Sequence, residues 1–475
     1  MPDPALTQER GPFSLQAELR SLLRLAVPVT LVQVGMMLMG VVDTIMVGRV
    51  SAAAIGAVAL GNMYFFAATI FGMGVLLALD PIVSQAVGAK DDRAIARGMQ
   101  RGLVLAAALA VLASVLLLPG EPLFGALRQP ADVVPLAAGY AIASIAGVFP
   151  FYAFIVFRQT LQAMGRLRPI IATIVVANLA NVLLNWVFVF GKFGVPAMGA
   201  VGTGWASSVS RLLMASLLLA LAWRSVHPYL TPVRRDSFTV APIWRMLRLG
   251  APIGVQFQLE FGAFGIVAVF MGWFGTTQMA GHQVALNLAS FTFMVPLGVS
   301  AAATVLVGQA VGRGDAGAAR RAAATALACG VGFMVLSAIV LLSAPELLAR
   351  VYTTEREVIA FAAVLIPLAG IFQVFDGTQV VAIGVLRGIG DTRSPMLINI
   401  LGFWLIGMPT SLWLAFRTDL GPRGLWWGLV VGLVVVALVL VARVRWRMAG
   451  ELLRLVIDES TDEHITETDR VVAEA

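Results

Sequence analysis

Three carboxylates lie inside long apolar stretches of this sequence, where an isolated charge is costly. Asp43 stands in "MGVVDTIMVG", Glu260 in "VQFQLEFGAFGIV" and Asp376 in "IFQVFDGTQVV". Ionisable residues at such positions usually face the protein interior or a water-filled cavity, where they mark ion and substrate pathways. Because burial disfavours an unpaired negative charge, such a group binds a proton or a metal cation on demand. The three acids are therefore predicted to bind and release cations.

Amide and aromatic side chains accompany two of these acids at helical spacing. Gln256 precedes Glu260 by one turn. The helical face that carries Asp376 also holds Phe372, Gln373 and Gln379. An acid beside amides and an aromatic ring indicates a cation site. The alternative is that each acid is a structural anchor bonded to a neighbouring polar group, but three such acids without an intramembrane lysine favour a functional role.

Other polar residues in the apolar stretches each allow two interpretations. Asp80, in "LALDPIVSQ", is a fourth candidate acid for which a structural role is favoured, and Arg211 either neutralises a nearby acid or extends to the membrane surface. Three asparagines on one helical side either pack helices together or complete an ion site beside Asp43; they are Asn178, Asn181 and Asn185.

The helices that hold these residues are predicted to cross a membrane. The chain has 475 residues, of which 59% are hydrophobic and 12% charged, whereas a soluble protein carries about 25% charged residues. About 20 apolar residues span a bilayer core, and twelve apolar stretches of sufficient length are separated by charged or Gly/Pro-rich breaks. The predicted spans are 22–48, 54–84, 97–119, 134–157, 169–191, 197–223, 246–272, 278–309, 321–344, 357–385, 395–416 and 424–446.

The basic residues predict the side of the membrane on which each loop lies. Lys and Arg concentrate in alternate connections and near both ends, which is the positive-inside pattern. Both termini are therefore expected in the cytoplasm, and no cleavable signal peptide is visible. A multi-pass protein of a bacterial inner (plasma) membrane is expected. Outside the spans, the expected segments are a cytoplasmic N-terminal segment 1–20, a cytoplasmic linker 225–243 and an acidic, disordered tail 451–475.

The two halves of the sequence match each other. One constant shift places "QAVG" (85–88) on a second "QAVG" (309–312) and Asp91 on Asp315. An all-α fold of two six-helix bundles, related by a pseudo-two-fold axis along the membrane normal, is therefore expected. The predicted bundles are residues 21–224 and 244–450. Secondary transporters often have such repeats, with the substrate site between the halves, although a duplicated channel or scaffold is an alternative.

The sequence offers no support for an enzyme or a nucleic-acid-binding protein. "GRGDAG" (312–317) satisfies GxGxxG, but the chain has 47 glycines and no strand precedes the match. No GxxxxGK[ST], Ser-His-Asp or HExxH arrangement is present, and three histidines leave little material for a metal cluster. The single Cys329 excludes an internal disulfide. No cofactor is expected, and the basic residues are spread over alternate loops instead of forming one surface for nucleic acid.

Longer stretches of the sequence carry a family resemblance. The segments "PVTLVQVGMMLMGVVDTIMVGRVSAAAIGAVALGN", "SQAVGAKD", "LEFGAF", "AGHQVALNLASFTFMVPLGVSAAATVLVGQAVGRGD" and "VFDGTQVVAIGVLRGIGDTR" resemble the multidrug and toxic compound extrusion (MATE) transporters, in particular their NorM-like branch. The resemblance implies twelve helices around a V-shaped cavity. It also implies export of organic cations or amphipathic drugs in exchange for Na+ or H+.

The resemblance assigns roles to particular residues. It places the essential N-terminal acid at Asp43 and a cation site, with Na+ as a candidate ion, at Glu260 and Asp376. Supporting cavity residues are predicted to be Asn178, Asn185, Gln256, Gln283, Phe293, Phe372 and Gln373. Phe372 stands where NorM-like relatives often have a tyrosine, so the choice between Na+ and H+ stays open. A monomer in contact with membrane lipid is expected.

A second transport function competes with drug export. A flippase for a lipid-linked or amphipathic substrate would use a related fold, but it would need a cavity lined with basic residues. The acids Asp43, Glu260 and Asp376 argue against such a cavity. A membrane-embedded enzyme would need its acids clustered around a phosphate or a metal, with a matching loop motif, and none is seen.

Overall fold

The structure is a computed structural model that describes residues 15–458. Its long helices are α1 (Leu15–Val47), α2 (Ala52–Leu76), α4 (Asp92–Leu117), α7 (Val148–Ala163), α8 (Arg168–Phe190), α9 (Gly199–Leu221), α11 (Val240–Trp273), α12 (Thr276–Gly312), α13 (Ala316–Ser343), α15 (Arg356–Gly388) and α18 (Pro422–Ala449). Shorter helices are α3 (Leu79–Gly88), α5 (Gly120–Ala126), α6 (Val134–Ile145), α10 (Trp223–Leu230), α14 (Pro345–Arg350), α16 (Arg393–Asn399) and α17 (Met408–Arg417). A 3-10 helix covers Arg235–Phe238 and a π-helix covers Ile400–Gly407.

The prediction of twelve membrane spans is confirmed. Within residues 15–458, eleven helical units are long and apolar enough to cross a bilayer, counting α2 with α3 as one unit and α16 to α17 as another. The twelfth is the pair α6 and α7, which together pass the same test but meet at a bend of 49°. The bend is at Gly147, where an added Cβ would lie 2.9 Å from the Ser208 Cα. The glycine therefore allows α9 to approach the bent span closely.

The eleventh span differs from a regular helix. Its middle is the π-helix Ile400–Gly407, which the apolar pattern of residues 395–416 does not predict. Two glycines of this stretch, Gly402 and Gly407, lie against the backbone of Gly432 on α18. Single π-helical turns are rare and frequently occur at functional sites. Asn399, the last residue before the π-helix, contacts one of the acids described below.

The two halves of the chain have matching local structure. We call α1 to α9 the N half and α11 to α18 the C half. Asp91 caps α4 by accepting a hydrogen bond from the Ala94 N–H (2.9 Å), and Asp315 caps α13 in the same way through Ala318 (2.8 Å). Such a cap satisfies a backbone donor that the first helical turn leaves free. Because Asp91 and Asp315 are matched by the repeat, the sequence duplication is also a duplication of structure.

The halves pack against each other through reciprocal contacts. A side chain at Gly88 would collide with the backbone of Gln309, and one at Gly312 would collide with the backbone of Gln85. The side chains of the same two glutamines form hydrogen bonds to the opposite half. Gln85 Nε2 donates to the Gly388 carbonyl (2.9 Å), and Gln309 Nε2 donates to the Ala163 carbonyl (2.7 Å). This reciprocity is what a two-fold relation between the halves requires.

These contacts lie near the face of the molecule that carries the linker between the halves. Gln100 of α4 holds that linker, because its Nε2 donates to the Tyr229 carbonyl (2.9 Å) and its Oε1 accepts from the Ser237 hydroxyl (3.0 Å). We call this the linker face. The N-terminal ends of α4 and α13 and the C-terminal ends of α3 and α12 lie there. In this structure the halves are therefore closed against each other at the linker face.

Residues 451–458 form a strap across the linker face. The Leu455 N–H donates to Gln85 Oε1 (2.7 Å), Arg454 pairs with Asp91 (2.8 Å), and Asp458 pairs with Arg101 (2.6 Å). The strap continues α18 of the C half and binds residues of the N half. The expectation of a disordered tail from residue 451 is therefore wrong for residues 451–458, which are bound to the N half. Residues 459–475, like residues 1–14 of the expected N-terminal segment, lie outside the described residues.

The ion pair at Asp91 changes the acidity of that residue. Burial by itself raises the pKa of Asp91, but the hydrogen bond from the Ala94 N–H and the pairing with Arg454 outweigh it and hold the pKa below its ordinary value. The ionised form of Asp91 is thus favoured when the strap is bound.

Each half has a hydrophobic core of its own. Tyr152 and Phe154 lie in the core of the N half, and Phe403 and Trp426 lie in that of the C half, all with almost no exposed surface. Most of each core comes from one half, although Leu22 and Ala26 of α1 join the C-half core and Met246 of α11 joins the N-half core.

Candidate functional sites in the two halves

Asp43 of α1 lies buried among three hydrogen-bond donors. Its Oδ1 accepts from Asn185 Nδ2 (2.7 Å) and Asn181 Nδ2 (3.1 Å), and its Oδ2 accepts from the Ser207 hydroxyl (2.8 Å). The asparagines come from α8 and the serine from α9. Three donors from two helices stabilise this buried carboxylate without a direct ion pair.

Arg211 lies on the same side of the N half as Asp43 and interacts with it electrostatically. Its guanidinium carbon lies 3.8 Å from the centroid of the Phe65 ring, and the Phe151 ring is 5.9 Å away. Stacking on aromatic rings stabilises a poorly solvated cation. Of the two interpretations that the sequence allowed, the structure favours Arg211 as a partial counter-charge to Asp43.

A cavity of about 410 Å³ opens beside Asp43. Its wall includes Asn62, Phe66 and Arg211 from the N half, and Leu297 from α12 of the C half, so it lies where the halves meet. Methionines make up much of the remaining wall; they are Met36, Met37, Met39, Met73, Met214 and Met294. Flexible, polarisable thioethers fit ligands of different shapes. These methionines therefore form part of a cavity as well as of the hydrophobic packing.

The three asparagines of α8 divide between the two predicted roles. Asn181 and Asn185 contact the Asp43 carboxylate. Asn178 instead donates to the carbonyls of Gly35 (3.0 Å) and Ile174 (2.9 Å), so it packs α8 against α1. Its contact with the N-half site is indirect.

Glu260 of α11 is half-buried in the C half and accepts hydrogen bonds from two amides. Gln256 Nε2 donates to its Oε1 (3.1 Å) from one turn earlier on α11. Asn399 Nδ2 donates to the same oxygen from the end of α16. The sequence predicted the first of these contacts, because Gln256 and Glu260 share a helical face, but not the second.

Asp376 of α15 lies close enough to Glu260 for the two carboxylates to interact electrostatically. Its Oδ1 accepts a hydrogen bond from Gln379 Nε2 (3.0 Å). Two carboxylates that share a site repel each other when both are ionised, and a bound cation or proton relieves the repulsion. The two C-half acids, which are far apart in the sequence, therefore lie within range of each other's charge.

The other predicted cavity residues of the C half take different places. Gln373 is buried and accepts from the Thr292 hydroxyl (2.6 Å) while donating to the Ser337 hydroxyl (2.9 Å), so it links α12, α13 and α15. Phe372 is buried and meets the ring of Trp426 edge-on. Phe293 is half-buried and Gln283 is exposed, both on α12. No hydrogen bond within residues 15–458 joins Gln283 to an acid.

Two of the amides that donate to the C-half acids have an oxygen atom that is not used. Asn399 Oδ1 and Gln379 Oε1 are buried and have no hydrogen-bond partner within the part of the chain that the structure describes. Hard cations are bound by carboxylate and amide oxygens. The described residues contain no cluster of three or more His, Cys, Asp or Glu side chains.

Sequence reasoning missed Ser207 and Asn399 as neighbours of the acids. Asn399 had a weak signal, since "PMLINILGFW" places one amide in an apolar run. Ser207 had none, because serines are common in membrane helices, where they bond to their own backbone.

Comparisons with known proteins agree with this arrangement. A family model described as MatE matches residues 28–187 and 252–413, which is one match in each half. The multidrug resistance protein MdtK of Edwardsiella ictaluri (strain 93-146) is 35% identical over 441 residues, covering 90% of this chain and 95% of MdtK. This chain belongs to the MatE family.

Further relatives of this MatE protein share its length and its fold. MdtK of Yersinia pseudotuberculosis serotype O:1b (strain IP 31758) is 35% identical over 448 residues, with 90% of this chain and 95% of MdtK covered. The crystal structure of the eukaryotic MATE transporter AtDTX14 superimposes with a TM-score of 0.83 at 23% identity, covering 91% of this chain and 99% of that one. An outward-facing multidrug resistance MATE transporter superimposes with a TM-score of 0.81 at 20% identity, covering 91% and 96%. The two-lobed, all-helical fold is shared.

Proposed function

We propose that this chain is a secondary antiporter that exports cationic or amphipathic drugs in exchange for Na+ or H+. The observation that carries the proposal is the presence of two acid sites in different halves: Asp43 at a methionine-lined cavity, and Glu260 with Asp376 beside free amide oxygens. Two separate sites allow the substrate and the ion to bind to one protein and to influence each other through a coupling free energy. The MdtK relatives are named as multidrug resistance proteins, which supports drugs as the substrate class.

The cavity beside Asp43 is proposed as the drug site. Its volume of about 410 Å³ falls within the range of about 300–1,000 Å³ that small-molecule sites occupy. The Asp43 carboxylate would attract an organic cation, while the methionines and Phe66 would accept apolar groups of different shapes. A flippase for an anionic lipid headgroup is not favoured, because Arg211, the basic residue in this wall, is already balanced by Asp43.

The pair Glu260 and Asp376 is proposed as the coupling-ion site. Its carboxylate oxygens, together with Asn399 Oδ1 and Gln379 Oε1, supply the hard ligands that Na+ prefers. A proton would neutralise one carboxylate and need no further ligand. The unpartnered amide oxygens support Na+ as the first ion to test.

The linker face is proposed to be cytoplasmic. The basic loops lie on that side of the predicted topology, so the positive-inside pattern supports it. Tags at either terminus and within residues 225–240 should then be protected in intact cells, whereas a tag within 120–132 should be accessible from outside. The reverse pattern would overturn the proposed orientation. The bundles 21–224 and 244–450, joined by the linker 225–243, are proposed to work as a monomer in the inner membrane.

Transport by the purified protein in proteoliposomes tests this function. Uptake of a fluorescent organic cation is measured under an imposed Na+ gradient, an imposed proton gradient, both, or neither. Antiport predicts drug accumulation with one of these gradients and none after that gradient is dissipated with the matching ionophore. Equal drug movement with and without gradients would refute antiport. Movement of a labelled lipid in place of the drug would support the flippase.

A further inference from the structure

Asp80 of α3 and Arg387 of α15 form a buried ion pair between the halves. The Asp80 Oδ2 lies 3.8 Å from Arg387 Nη1, and their side chains are 2% and 10% exposed. By contrast, Arg321 and Glu18, which also pair across the halves, are 41% and 24% exposed. The buried pair adjoins the reciprocal contacts of the linker face, since Gly388, next to Arg387, accepts the hydrogen bond from Gln85.

Each partner of this ion pair has a second opposite charge nearby within its own half. Asp80 interacts electrostatically with Arg158 of α7, and Arg387 interacts with Glu260 of α11. The Arg387 guanidinium also reaches the helix that carries Glu260, because it lies 5.9 Å from the ring centroid of Phe257, one turn before Glu260 on α11. The alternative partner of Arg387 is therefore a residue of the C-half acid pair.

Some polar atoms of these charged side chains form no hydrogen bond within the described residues. Asp80 Oδ1, Arg387 Nε and Arg158 Nε are buried and have no hydrogen-bond partner within residues 15–458. Arg158 is held through its Nη1, which donates to Gln33 Oε1 (3.1 Å). Buried charged groups normally have their hydrogen-bonding capacity filled. Free atoms on three neighbouring charged side chains indicate a set that can form other pairs.

We propose that Asp80 and Arg387 exchange partners during transport and thereby connect the ion site to the linker face. With the linker face closed, they pair with each other across the halves. When the halves separate there, Asp80 pairs with Arg158 and Arg387 pairs with Glu260, so that no charge is left buried and unpaired. Both are positioning residues, because they act through Glu260. This inference rests on the proposed antiport and deepens it.

The exchange explains how an ion at the C-half pair would close the linker face. A cation bound at Glu260 and the Arg387 guanidinium compete for the same carboxylate. When the cation binds, Arg387 is released to Asp80, and the cross-half pair forms. When the cation leaves, Arg387 returns to Glu260 and the halves lose that contact. A ligand shifts such an equilibrium only through its different affinity for the two states, and the competition supplies that difference.

Distance measurements across the linker face test the partner exchange. Arg93 and Arg313 are exposed residues of the N and C halves, and both are replaced by spin-labelled cysteine in full-length Cys329→Ala protein in liposomes. Na+ is titrated against K+ at constant ionic strength, and a parallel arm acidifies the sample in K+ alone. In the protein that keeps Asp80 and Arg387, the coupling ion should increase the fraction of molecules with a short distance between the two labels, which is the closed linker face. In the wild type the ion should multiply the closed-to-open ratio by a certain factor. In Arg387→Gln that factor should be smaller by about 5- to 150-fold.

Three further variants separate coupling from simple structural support. Arg387→Lys, which keeps the charge, should retain most of the ion response, and Arg321→Gln, which breaks the more exposed cross-half pair, should leave it within about twofold of the wild type. The double variant Asp80→Arg with Arg387→Asp should restore the closed distance but not the ion response. In that swap the arginine introduced on α3 would face Arg158 and the aspartate introduced on α15 would face Glu260, so neither could exchange partners.

The outcomes distinguish this inference from the antiport on which it rests. An Arg387→Gln protein that responds to the ion and transports drug like the wild type would overturn the partner exchange alone. So would a charge swap that restores ion-driven transport, because an ordinary structural ion pair behaves in that way. A wild type that neither transports drug nor responds to the ion would overturn the antiport and the exchange together.

Discussion

At the scale of single residues, the three acids differ in the number of side-chain hydrogen bonds that they accept. Asp43 receives three side-chain hydrogen bonds, Glu260 receives two and Asp376 receives one. The more donors a carboxylate has, the better its ionised form is held without a bound cation. Asp43 thus has the most donors to hold its ionised form, which is the form that would attract a cationic drug in the proposed function, whereas Asp376 has the fewest.

Asp43→Asn is expected to abolish drug efflux while leaving a folded protein. The substitution removes the charge that attracts the drug and turns one accepting oxygen into a donor that faces other donors. The loss of hydrogen bonding should lower the free energy of unfolding by about 1–3 kcal/mol. The variant should therefore stay folded and monodisperse. Efflux from loaded cells and elution in size-exclusion chromatography measure the two effects.

Asn178→Ala is the matched control for Asp43→Asn. It lies on α8 like the donors of Asp43, but its own hydrogen bonds go to backbone carbonyls. Efflux by this variant should stay within about threefold of the wild type, since only helix packing changes. If Asp43→Asn and Asn178→Ala lose activity equally, the acid has no special role in binding the drug.

Glu260→Gln and Asp376→Asn are expected to fail in the same way and not to add. In the proposed function the two carboxylates share the coupling-ion site, so removing either should destroy that site, and losses at residues that act as a unit are non-additive. Each single variant should lose at least about tenfold in ion-driven drug transport. The double variant should be scarcely worse. Ion binding and efflux are measured for all three; multiplicative losses with ion binding intact would show that the acids belong to separate sites.

The sequence revealed the acids of these sites but not all of their neighbours. Asp43, Glu260 and Asp376 are conspicuous because a charge in an apolar run is costly, and Gln256 follows from helical spacing. Asn399 cannot be placed beside Glu260 in this way, because α16 and α11 are separated by most of the C half and meet only after the helices pack. Asp80 was expected to have a structural role, and nothing in the sequence pairs it with Arg387.

At the scale of helices and segments, apolar length predicted the spans but not their irregularities. A run of about 20 apolar residues identifies a span whatever lies around it. The bend at Gly147 and the π-helix Ile400–Gly407 depend on close neighbours, namely Ser208 and Gly432. The strap 451–458 was predicted as part of a disordered tail because the stretch that follows it is acidic and polar, although five of its own eight residues are apolar. Its partners Gln85, Asp91 and Arg101 become available only on the assembled linker face.

The strap is expected to stabilise the closed linker face. It covers a cavity of about 190 Å³ whose wall includes Ile82 and Met246. In a Cys329→Ala protein, Ile82→Cys should therefore react slowly with a maleimide, and deletion of residues 451–475 should accelerate the reaction. Deletion of residues 459–475 alone is the control and should leave the rate unchanged, since the strap remains. Equal rates in all three proteins would show that the strap does not hold this face closed.

The ion pair between the strap and Asp91 has a definite pH dependence. The pKa of Asp91 in the folded protein is below its ordinary value of 3.8. The pair therefore contributes its full stability above that ordinary value and loses it only as the pH falls through the lower folded pKa. The maleimide reaction of Ile82→Cys, corrected for the pH dependence of the thiol, should show no strap release by this route between neutral and mildly acidic pH.

At the scale of the whole molecule, duplication produced an interface with reciprocal contacts at one face. The reciprocal contacts of Gln85 with Gly388 and of Gln309 with Ala163 lie at the linker face, and each half has its own core. Rigid halves that separate at one face and close at the other would expose the cavity beside Asp43 to each side in turn. The sequence repeat predicted the two halves, but which face is closed follows only from the packing.

Reversal of the transport cycle tests the central claim, exchange of drug for an ion, most directly. Proteoliposomes are loaded with an organic cation and diluted into drug-free buffer with the ion concentration equal on both sides. The account predicts that drug efflux drives Na+ or H+ inward and builds an ion gradient that was absent at the start, and that Glu260→Gln abolishes this ion movement. Drug efflux without any ion movement, or ion movement that persists in Glu260→Gln, would contradict the account.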